Sequence, residues 1–292
     1  MPTRRLQQNL IYILFVAPAV FVFALIVLLP FLRAIIFSFQ DWNGISTVIR
    51  WVGLDNYRMM WKDDAFYRSF AFTLKYVIVT TILVNVVGLA LALALNTALK
   101  TKNILRTAFF LPYVIGSIII GFIWQFIITQ LFADIGRATQ WTLFMKNWLS
   151  LPDYAFWSLV LVTIWHSSGY YMVIYLAALQ GVPKDLLEAA SIDGAGVMQQ
   201  FRSVVLPLIR PAMTINLFLA LSNGFKSFDL NFALTKGGPF GTTESLALHI
   251  YLDAFTKNLF TYASAKAVVF FVVLATITLV QVSVMKRSEV ES

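Results

Sequence analysis

The residues most able to form a specific site lie in one polar stretch, residues 184–207, of an otherwise apolar chain. The stretch reads KDLLEAASIDGAGVMQQFRSVVLP and holds three acids, two bases and two glycines. Asp185 and Glu188 follow Pro183 in a first helical turn, where carboxylates suit the helix dipole and proline loses no hydrogen bond. Gly194 can take the left-handed conformation that ends a helix. This pattern predicts two short helices joined by a glycine turn.

Apolar residues recur at helical spacing within the same stretch. Leu186, Leu187 and Ala190 fall on one face of the first predicted helix. The second helix is expected to begin near Gly196, and Pro207 to begin the next apolar segment. The apolar residues that this second helix presents are Val197, Phe201 and Val204 or Val205. Such a surface is either a solvated cap on a helical bundle or a docking element for another protein, and composition leaves both interpretations open.

The other chemistry-bearing residue types form no catalytic or metal-binding pattern. The chain has no cysteine, so disulfides and thiolate metal sites are excluded. His166 and His249 are far apart in the sequence, which argues against a metal site, and no Ser/His/Asp constellation stands out. There is no G-x-x-x-x-G-K-[ST] loop, and GAGVMQ lacks the third glycine of a dinucleotide fingerprint. We therefore expect no catalytic residue and no cofactor in this chain.

A second group of polar residues lies within or beside the apolar segments. In a membrane, such residues face a bundle interior or a pathway, or they hydrogen-bond between helices. Lys226 and Asp229 are three residues apart, so they either pair with each other or contact a solute. His166 could line the same path or be a buried, hydrogen-bonded residue, and the second interpretation is favoured. The candidates for a pathway are Tyr170, Tyr171, Asn216, Asn223, Lys226, Phe228, Asp229 and Asn231.

The composition places these residues in a membrane protein. The 292 residues are 59% hydrophobic and 12% charged, whereas soluble domains carry about 25% charged residues. The net charge of +8 fits basic loops beside anionic headgroups. Nucleic-acid binding is not expected, because no basic cluster with interleaved aromatic residues stands outside the apolar segments.

Six segments are long and apolar enough to cross a hydrocarbon core of ~30 Å, which predicts an all-α integral membrane protein with six transmembrane helices. Residues 51–70 are expected to form an interfacial helix. The motif Ala17-Pro18-Ala19 resembles a signal-peptide cleavage site, but the apolar run continues beyond it and favours a retained span. The predicted spans are residues 10–29, 74–95, 107–128, 155–179, 208–225 and 267–285.

The distribution of Lys and Arg predicts the orientation. The segments on the two sides of the membrane carry equal numbers of Lys and Arg, but those on the side of the N-terminus are shorter. On that side the tight loop KTKNILR holds three bases and no acid. Both termini and the polar stretch are therefore expected to be cytoplasmic.

The sequence EAASIDGA (residues 188–195), followed by FRSVVLP, resembles the EAA motif of permease subunits in binding-protein-dependent ABC importers. LAALQGVPKDLLEAA, VGLDNY (52–57) and LTKGGP (234–239) resemble the carbohydrate-importer branch, and the resemblance covers nearly the whole chain. It implies an ABC type I importer-like fold with an N-terminal tail, first span and external segment (1–72), a core domain (73–286, motif loop 182–207) and a cytoplasmic tail (287–292). The residues that match the motif are Glu188, Ala189, Ala190, Gly194, Leu206 and Pro207.

The resemblance also implies partners. The polar stretch would form coupling helices in a groove of an ATP-hydrolysing subunit, with Glu188 pairing with a basic group there and Gly194 permitting the turn. The expected complex contains a second homologous permease, a dimer of the ATP-binding subunit that binds ATP and Mg, and an extracytoplasmic solute-binding protein, in a bacterial-type inner membrane among lipid. The carbohydrate itself is not identified. The expected coupling residues are Leu187, Glu188, Ala189, Ala190, Asp193, Gly194 and Phe201.

Two rival functions remain open at this point. A secondary carrier or facilitator would work without an ATPase, and a structural membrane protein would have no pathway. The predicted spans lack an Asp or Glu at mid-membrane depth, which ion-coupled carriers usually need. The segment SNGFKSFDLNFALTKGGP offers amides, a carboxylate and aromatic faces, the mixture that binds a neutral sugar.

Overall fold

A computed structural model describes residues 2–97 and 100–290. Met1, Ala98, Leu99 and the last two residues of the predicted tail 287–292 lie outside the described part. The chain divides into two units: Met1–Asp63 with Ile250–Val272, and Asp64–His249 with Val273–Ser292.

The first unit contains the N-terminal helix and a small two-stranded sheet. Helix α1 (Pro2–Phe23) continues through a π-helical turn into α2 (Leu29–Phe37). Strand β1 (Gln40–Asp41) pairs antiparallel with β2 (Arg50–Trp51), and α3 (Asp55–Met60) follows. The side chains of Phe37, Trp42 and Phe260 pack together, with ring centroids 5.5–5.7 Å apart.

The first unit also holds a buried charge network that sequence patterns did not predict. The fully buried Lys266 ammonium lies 2.6 Å from Asp63 Oδ2 and 2.5 Å from Asp253 Oδ2. Tyr262 donates a hydrogen bond to Asp63, and Lys257 pairs with the other oxygen of Asp253 at 2.7 Å. Two carboxylates therefore share one buried lysine.

The second unit is a helical bundle around two long helices. Helix α4 (Asp64–Leu95) packs along α9 (Pro152–Gln180), because buried residues recur on α4 every three or four positions. The stripe includes Phe72, Tyr76 and Val84. The shorter helices of the N-terminal half of this unit are α5 (Lys102–Val114), α6 (Ser117–Phe126), α7 (Phe132–Thr139) and α8 (Thr142–Met145).

The C-terminal half of the chain supplies the remaining helices. A π-helical turn (Phe201–Val205) joins α11 (Val197–Gln200) to α12 (Leu206–Leu208). Helix α16 (Phe260–Val290) is the last element, and it begins well before the predicted sixth span. The others are α10 (Lys184–Ile192), α13 (Arg210–Phe225), α14 (Asp229–Leu234) and α15 (Leu246–Tyr251).

The prediction of six spans agrees with these helices when one bent pair is counted as a single span. Within the described residues, five helical segments are long and apolar enough to cross a membrane: Leu14–Phe37, Asp64–Leu95, Ser117–Thr139, Pro152–Gln180 and Phe260–Ser283. The sixth is the pair Val197–Leu208 and Arg210–Phe225, bent by 69°. The bend lies at Ile209, two residues after Pro207, and the second half of the pair, Arg210–Phe225, lies close to the predicted fifth span of 208–225.

Two other predicted helices have different boundaries. The continuous third span over 107–128 was wrong, because the chain is extended at Ile115 (φ −81°, ψ 130°) between α5 and α6. Pro112 contributes to this break, since it donates no backbone hydrogen bond and crowds the preceding turn. The single interfacial helix over 51–70 was also wrong: α3 ends at Met60, and a new helix begins at Asp64, where a carboxylate suits the first turn.

The contact of α5 with α9 depends on a glycine. A Cβ placed on Gly169 would lie within 2.5 Å of the backbone of Phe109, so no larger residue fits without moving one helix. This approach holds α5 against the part of α9 that carries His166 and Tyr171.

Candidate functional site

Residues 184–208 form a helical hairpin that matches the predicted pair of short helices. Helix α10 ends in a Schellman motif: the Gly194 N–H donates to Ser191 O (3.1 Å) and the Ala195 N–H to Ala190 O (2.9 Å). Gly194 has φ +80°, as the sequence predicted for a left-handed turn. The Gln200 side chain donates to Ala195 O at 2.8 Å and ties the second helix to the turn.

The base of the hairpin is anchored in the bundle. Ile209 is fully buried in a hydrophobic cluster with Tyr175 and Leu179 of α9 and Leu95 of α4. Val182, Val205 and Leu206 pack against this cluster from the two ends of the hairpin. Apolar packing at both ends of the hairpin therefore joins it to the long helices α4 and α9 and fixes its base.

The tip of the hairpin presents apolar residues to its surroundings. Ile192 and Val197 are each 86% exposed, and Met198 is 62% exposed. An apolar cluster left open on a rigid element is typical of a surface that another protein covers. The Glu188 carboxylate beside it is exposed and has no ion-pair partner among the described residues.

The predicted coupling residues divide into exposed and half-buried positions of the hairpin. The exposed ones can contact a partner directly. The exposed ones are Glu188, Ala189, Asp193 and Gly194, and the half-buried ones are Leu187, Ala190 and Phe201. Gln200 was missed, because a glutamine in a short polar helix carries no signal of its hydrogen bond.

A polar cavity of about 300 Å³ lies in the same unit. Its wall combines aromatic rings with uncharged hydrogen-bonding groups and one residue of each charge sign. The wall is drawn from α4, α5, α6, α9, α13, α14 and the link between α13 and α14. The residues that line it include Tyr76, Thr80, Tyr113, Ser117, Thr163, His166, Ser167, Tyr171, Asn223, Lys226, Phe228 and Asp229.

Five of the eight predicted pathway residues line this cavity, and three do not. Asn216 is buried and donates to Tyr171 O at 3.2 Å, and Asn231 is buried and accepts from Ser227 Oγ at 2.7 Å. Tyr170 stacks on Tyr113, with ring centroids 4.5 Å apart. These three residues support the wall from behind, which is the interhelical role that polar residues in membrane helices often have.

His166 holds the break between α5 and α6. Its Nε2 lies 3.0 Å from Ile115 O, and because a carbonyl only accepts, Nε2 carries the hydrogen. Ser167 Oγ lies 3.4 Å from Nδ1 on the other side of the ring. The prediction of a buried, hydrogen-bonded histidine is confirmed, and the same side chain also lines the cavity.

Several lining residues were missed by the sequence analysis. Tyr76 Oη lies 2.5 Å from Thr163 Oγ1, which joins α4 to α9 at the cavity wall. Tyr113 and Ser117 lie on the two sides of the break at 115–116. A tyrosine or threonine in an apolar helix gives no local sign of the face it occupies, so only the packing of the helices could identify these residues.

The charged pair in the cavity does not form the ion pair that the sequence allowed. Lys226 and Asp229 both line the cavity and are both exposed. Among the side chains that the structure describes, no ion pair involves Lys226 or Asp229. Both groups are therefore available to a solute.

Comparison with known proteins identifies the relatives of this chain. A profile of the family described as binding-protein-dependent transport system inner membrane component matches residues 84–288. A probable starch degradation products transport system permease protein, AmyD of Thermoanaerobacterium thermosulfurigenes, is 44% identical over 287 residues, covering 98% of this chain and 97% of the relative. The multiple sugar-binding transport system permease protein MsmF of Streptococcus mutans is 31% identical over 261 residues, covering 89% and 90%.

The fold is also similar to that of a solved transporter. A crystal structure of a bacterial ABC transporter involved in the import of the acidic polysaccharide alginate contains a chain that superposes with a TM-score of 0.84. The alignment covers 97% of this chain and 98% of that chain at 18% identity.

Proposed function

The chain belongs to the family of binding-protein-dependent transport system inner membrane components, and we propose that it forms, with a second permease, the path for a sugar or sugar-derived solute. It is a multi-pass inner-membrane protein with the transmembrane fold of type I ABC importers. The observation that carries the choice of solute is the cavity wall, which combines tyrosine and phenylalanine side chains with hydroxyl and amide groups. Sugars present apolar ring faces and many hydroxyls, so they match such a wall.

ATP hydrolysis belongs to a separate subunit in this proposal. That subunit binds ATP and Mg, and the hairpin 184–208 seats on it through Ile192, Val197 and Glu188. The exposed apolar tip and the unpaired carboxylate support this role. A partner with an apolar groove would cover the apolar tip, and a basic group beside that groove would pair with the Glu188 carboxylate.

The packing of the second unit supplies a route from the hairpin to the cavity. The cluster at the base of the hairpin contains Tyr175 and Leu179, and one to two turns along α9 lies Tyr171, which lines the cavity. Tyr171 packs with Val84 and Ala220 in a second cluster. A displacement of the rigid hairpin therefore moves helices that form the cavity wall, as the coupling of ATP use to transport requires.

The binding protein and the orientation are parts of the same proposal. The termini and the hairpin are cytoplasmic, and the loop 237–243 faces the binding protein outside. Phe240 in this loop is 93% exposed, and Thr243 Oγ1 and Thr242 Oγ1 donate to the carbonyls of Gly238 and Pro239 to hold the loop in shape. An exposed aromatic residue on a rigid loop is typical of a protein contact.

Reconstitution distinguishes this function from its alternative. Proteoliposomes that contain both permeases, the ATPase and the binding protein are expected to accumulate sugar only with ATP. A secondary carrier or facilitator would move sugar with this chain alone. Uptake by the isolated chain at the rate of the full complex would contradict the proposal.

Replacing Glu188 with alanine is expected to weaken assembly with the ATPase. Loss of one partner of a charge pair in an interface typically costs about 2 kcal/mol or more, about thirtyfold in affinity. The measurement is co-purification of the ATPase with the permeases, together with sugar-stimulated ATP hydrolysis.

The matched control for Glu188 is Asp134→Ala, which removes an exposed acid from α7. This control is expected to leave assembly at the wild-type level, so Glu188→Ala assembly equal to that of the control would remove Glu188 from the interface.

A further inference from the structure

We infer that Lys226 and Asp229 make the cavity selective for uncharged saccharides, so that acidic and basic sugars are both rejected. This inference rests on the proposed function, because it names the substrate class of the same cavity. The two residues are the charged members of its wall, and their charges are opposite. A solute that carries a charge meets one attractive and one repulsive partner there, whereas a neutral sugar can hydrogen-bond to both.

The position of the two residues follows from a break in the helix. Helix α13 ends at Phe225, and Lys226 is the residue that caps it, with φ −83° and ψ 5°. Helix α14 begins at Asp229. An ammonium at the end of a helix and a carboxylate at the start of one are each favoured by the backbone dipoles. Each charge therefore lies at the helix end whose backbone dipoles attract it.

Hydrogen bonds to buried residues hold the link between the two helices in place. Ser227 Oγ donates to Asn231 Oδ1 at 2.7 Å, and Asn231 Nδ2 donates to Thr243 O at 3.1 Å. Ser245 Oγ donates to Ser227 O, also at 2.7 Å. Asn231 and Ser245 are both buried. The link is thus fixed from behind, which keeps the two charged side chains from rearranging into an ion pair by a shift of the backbone.

The rest of the wall cannot compensate a charged solute. The ring of His166 is held by Ile115 O, 3.0 Å from Nε2, and by Ser167 Oγ, 3.4 Å from Nδ1. The tyrosine, threonine and serine residues of the wall offer hydrogen bonds without charge. A charged sugar that enters the cavity gives up water. It then gains attraction to one charged residue and suffers repulsion from the other, and these two terms oppose each other.

Single neutralisations are therefore expected to change the charge preference in opposite directions. Asp229→Asn leaves Lys226 as the charged residue of the wall, which favours an acidic sugar. Lys226→Gln leaves Asp229, which favours a basic sugar. For each variant we expect the affinity for the favoured charged sugar, relative to that for the neutral one, to rise by about tenfold or more over wild type.

The experiment measures binding without the binding protein, because that subunit would otherwise select the sugar. The two permeases and the ATPase are purified together in detergent. Saturation-transfer NMR then measures the binding of a neutral sugar (maltose), an acidic sugar (α-1,4-digalacturonate) and a basic sugar (the deacetylated disaccharide of glucosamine). Wild type is expected to bind maltose and neither charged sugar. Asp229→Asn is expected to gain digalacturonate, and Lys226→Gln to gain the glucosamine disaccharide.

Two exposed residues outside the cavity provide the controls, Asp153→Asn and Lys62→Gln, and both are expected to keep the wild-type preference. If maltose binds but the charge preference is the same in all variants, the inference fails and the proposed function stands. If none of the three sugars binds to wild type or to any variant, the proposed sugar site itself fails. A gain of the same charged sugar in both cavity variants would also overturn the inference, since it would show a general loosening of the wall.

Discussion

Replacing Gly194 with valine is expected to abolish ATP-coupled uptake while the chain still inserts in the membrane. Gly194 has φ +80°, a conformation that costs a β-branched residue of order 1–3 kcal/mol. Escape from this strain breaks the two backbone hydrogen bonds that end α10, from Gly194 to Ser191 and from Ala195 to Ala190. The second helix of the hairpin then points in a new direction, and the exposed tip no longer fits its partner.

The measurement is ATP-driven uptake in proteoliposomes, together with co-purification of the ATPase. Gly196→Val is the matched control, because Gly196 has φ −69° and ψ 164° and a Cβ there would meet no other atom within 4 Å. We expect the control to retain most of the uptake. Full uptake by Gly194→Val would contradict the claim that the hairpin must be rigid.

Replacing Lys266 with methionine is expected to destabilise the first unit. Lys266 is fully buried and its ammonium lies between Asp63 and Asp253, at 2.6 and 2.5 Å. Methionine fills a similar volume but leaves the carboxylates without this buried cation. Removal of one partner from a buried ion pair typically costs about 3–5 kcal/mol.

The measurement is the thermal unfolding of the purified permease in detergent, together with its yield from the membrane. Lys257→Met is the control, since the Lys257 side chain is 53% exposed and pairs with the same Asp253. In this variant Asp253 keeps its buried partner Lys266, so the control is expected to lose much less stability than Lys266→Met. Equal unfolding temperatures for wild type and Lys266→Met would show that the network contributes little to stability.

The sequence was sufficient to predict the hairpin, because its features are local. A proline before the first helix, acids in the first turn and a glycine after the last turn each act on the residues next to them. Gly194 therefore has the predicted left-handed conformation. The six apolar segments were also recognisable, since length and composition alone decide whether a helix can cross a membrane.

The features that sequence could not predict depend on contacts between distant residues. The break at Ile115 is held by His166, which is 51 positions away, and the cavity wall combines residues from several helices. Lys266 precedes the predicted sixth span by one residue, but the helix begins earlier, at Phe260. Only the contacts of Lys266 with Asp63 and Asp253 show that this first part of the helix buries a charge. Apolar patterns locate a span, but they do not show which polar groups its ends bury.

The seating of the hairpin on an ATP-hydrolysing subunit can be tested by site-directed cross-linking. The chain has no cysteine, so Ile192→Cys and Phe240→Cys each introduce a single thiol at a highly exposed position. In membranes that contain the whole complex, a short bifunctional reagent is expected to join Ile192→Cys, and not Phe240→Cys, to the ATPase. Cross-linking of the ATPase to Phe240→Cys, or the absence of any product from Ile192→Cys in a complex that still transports sugar, would contradict the account.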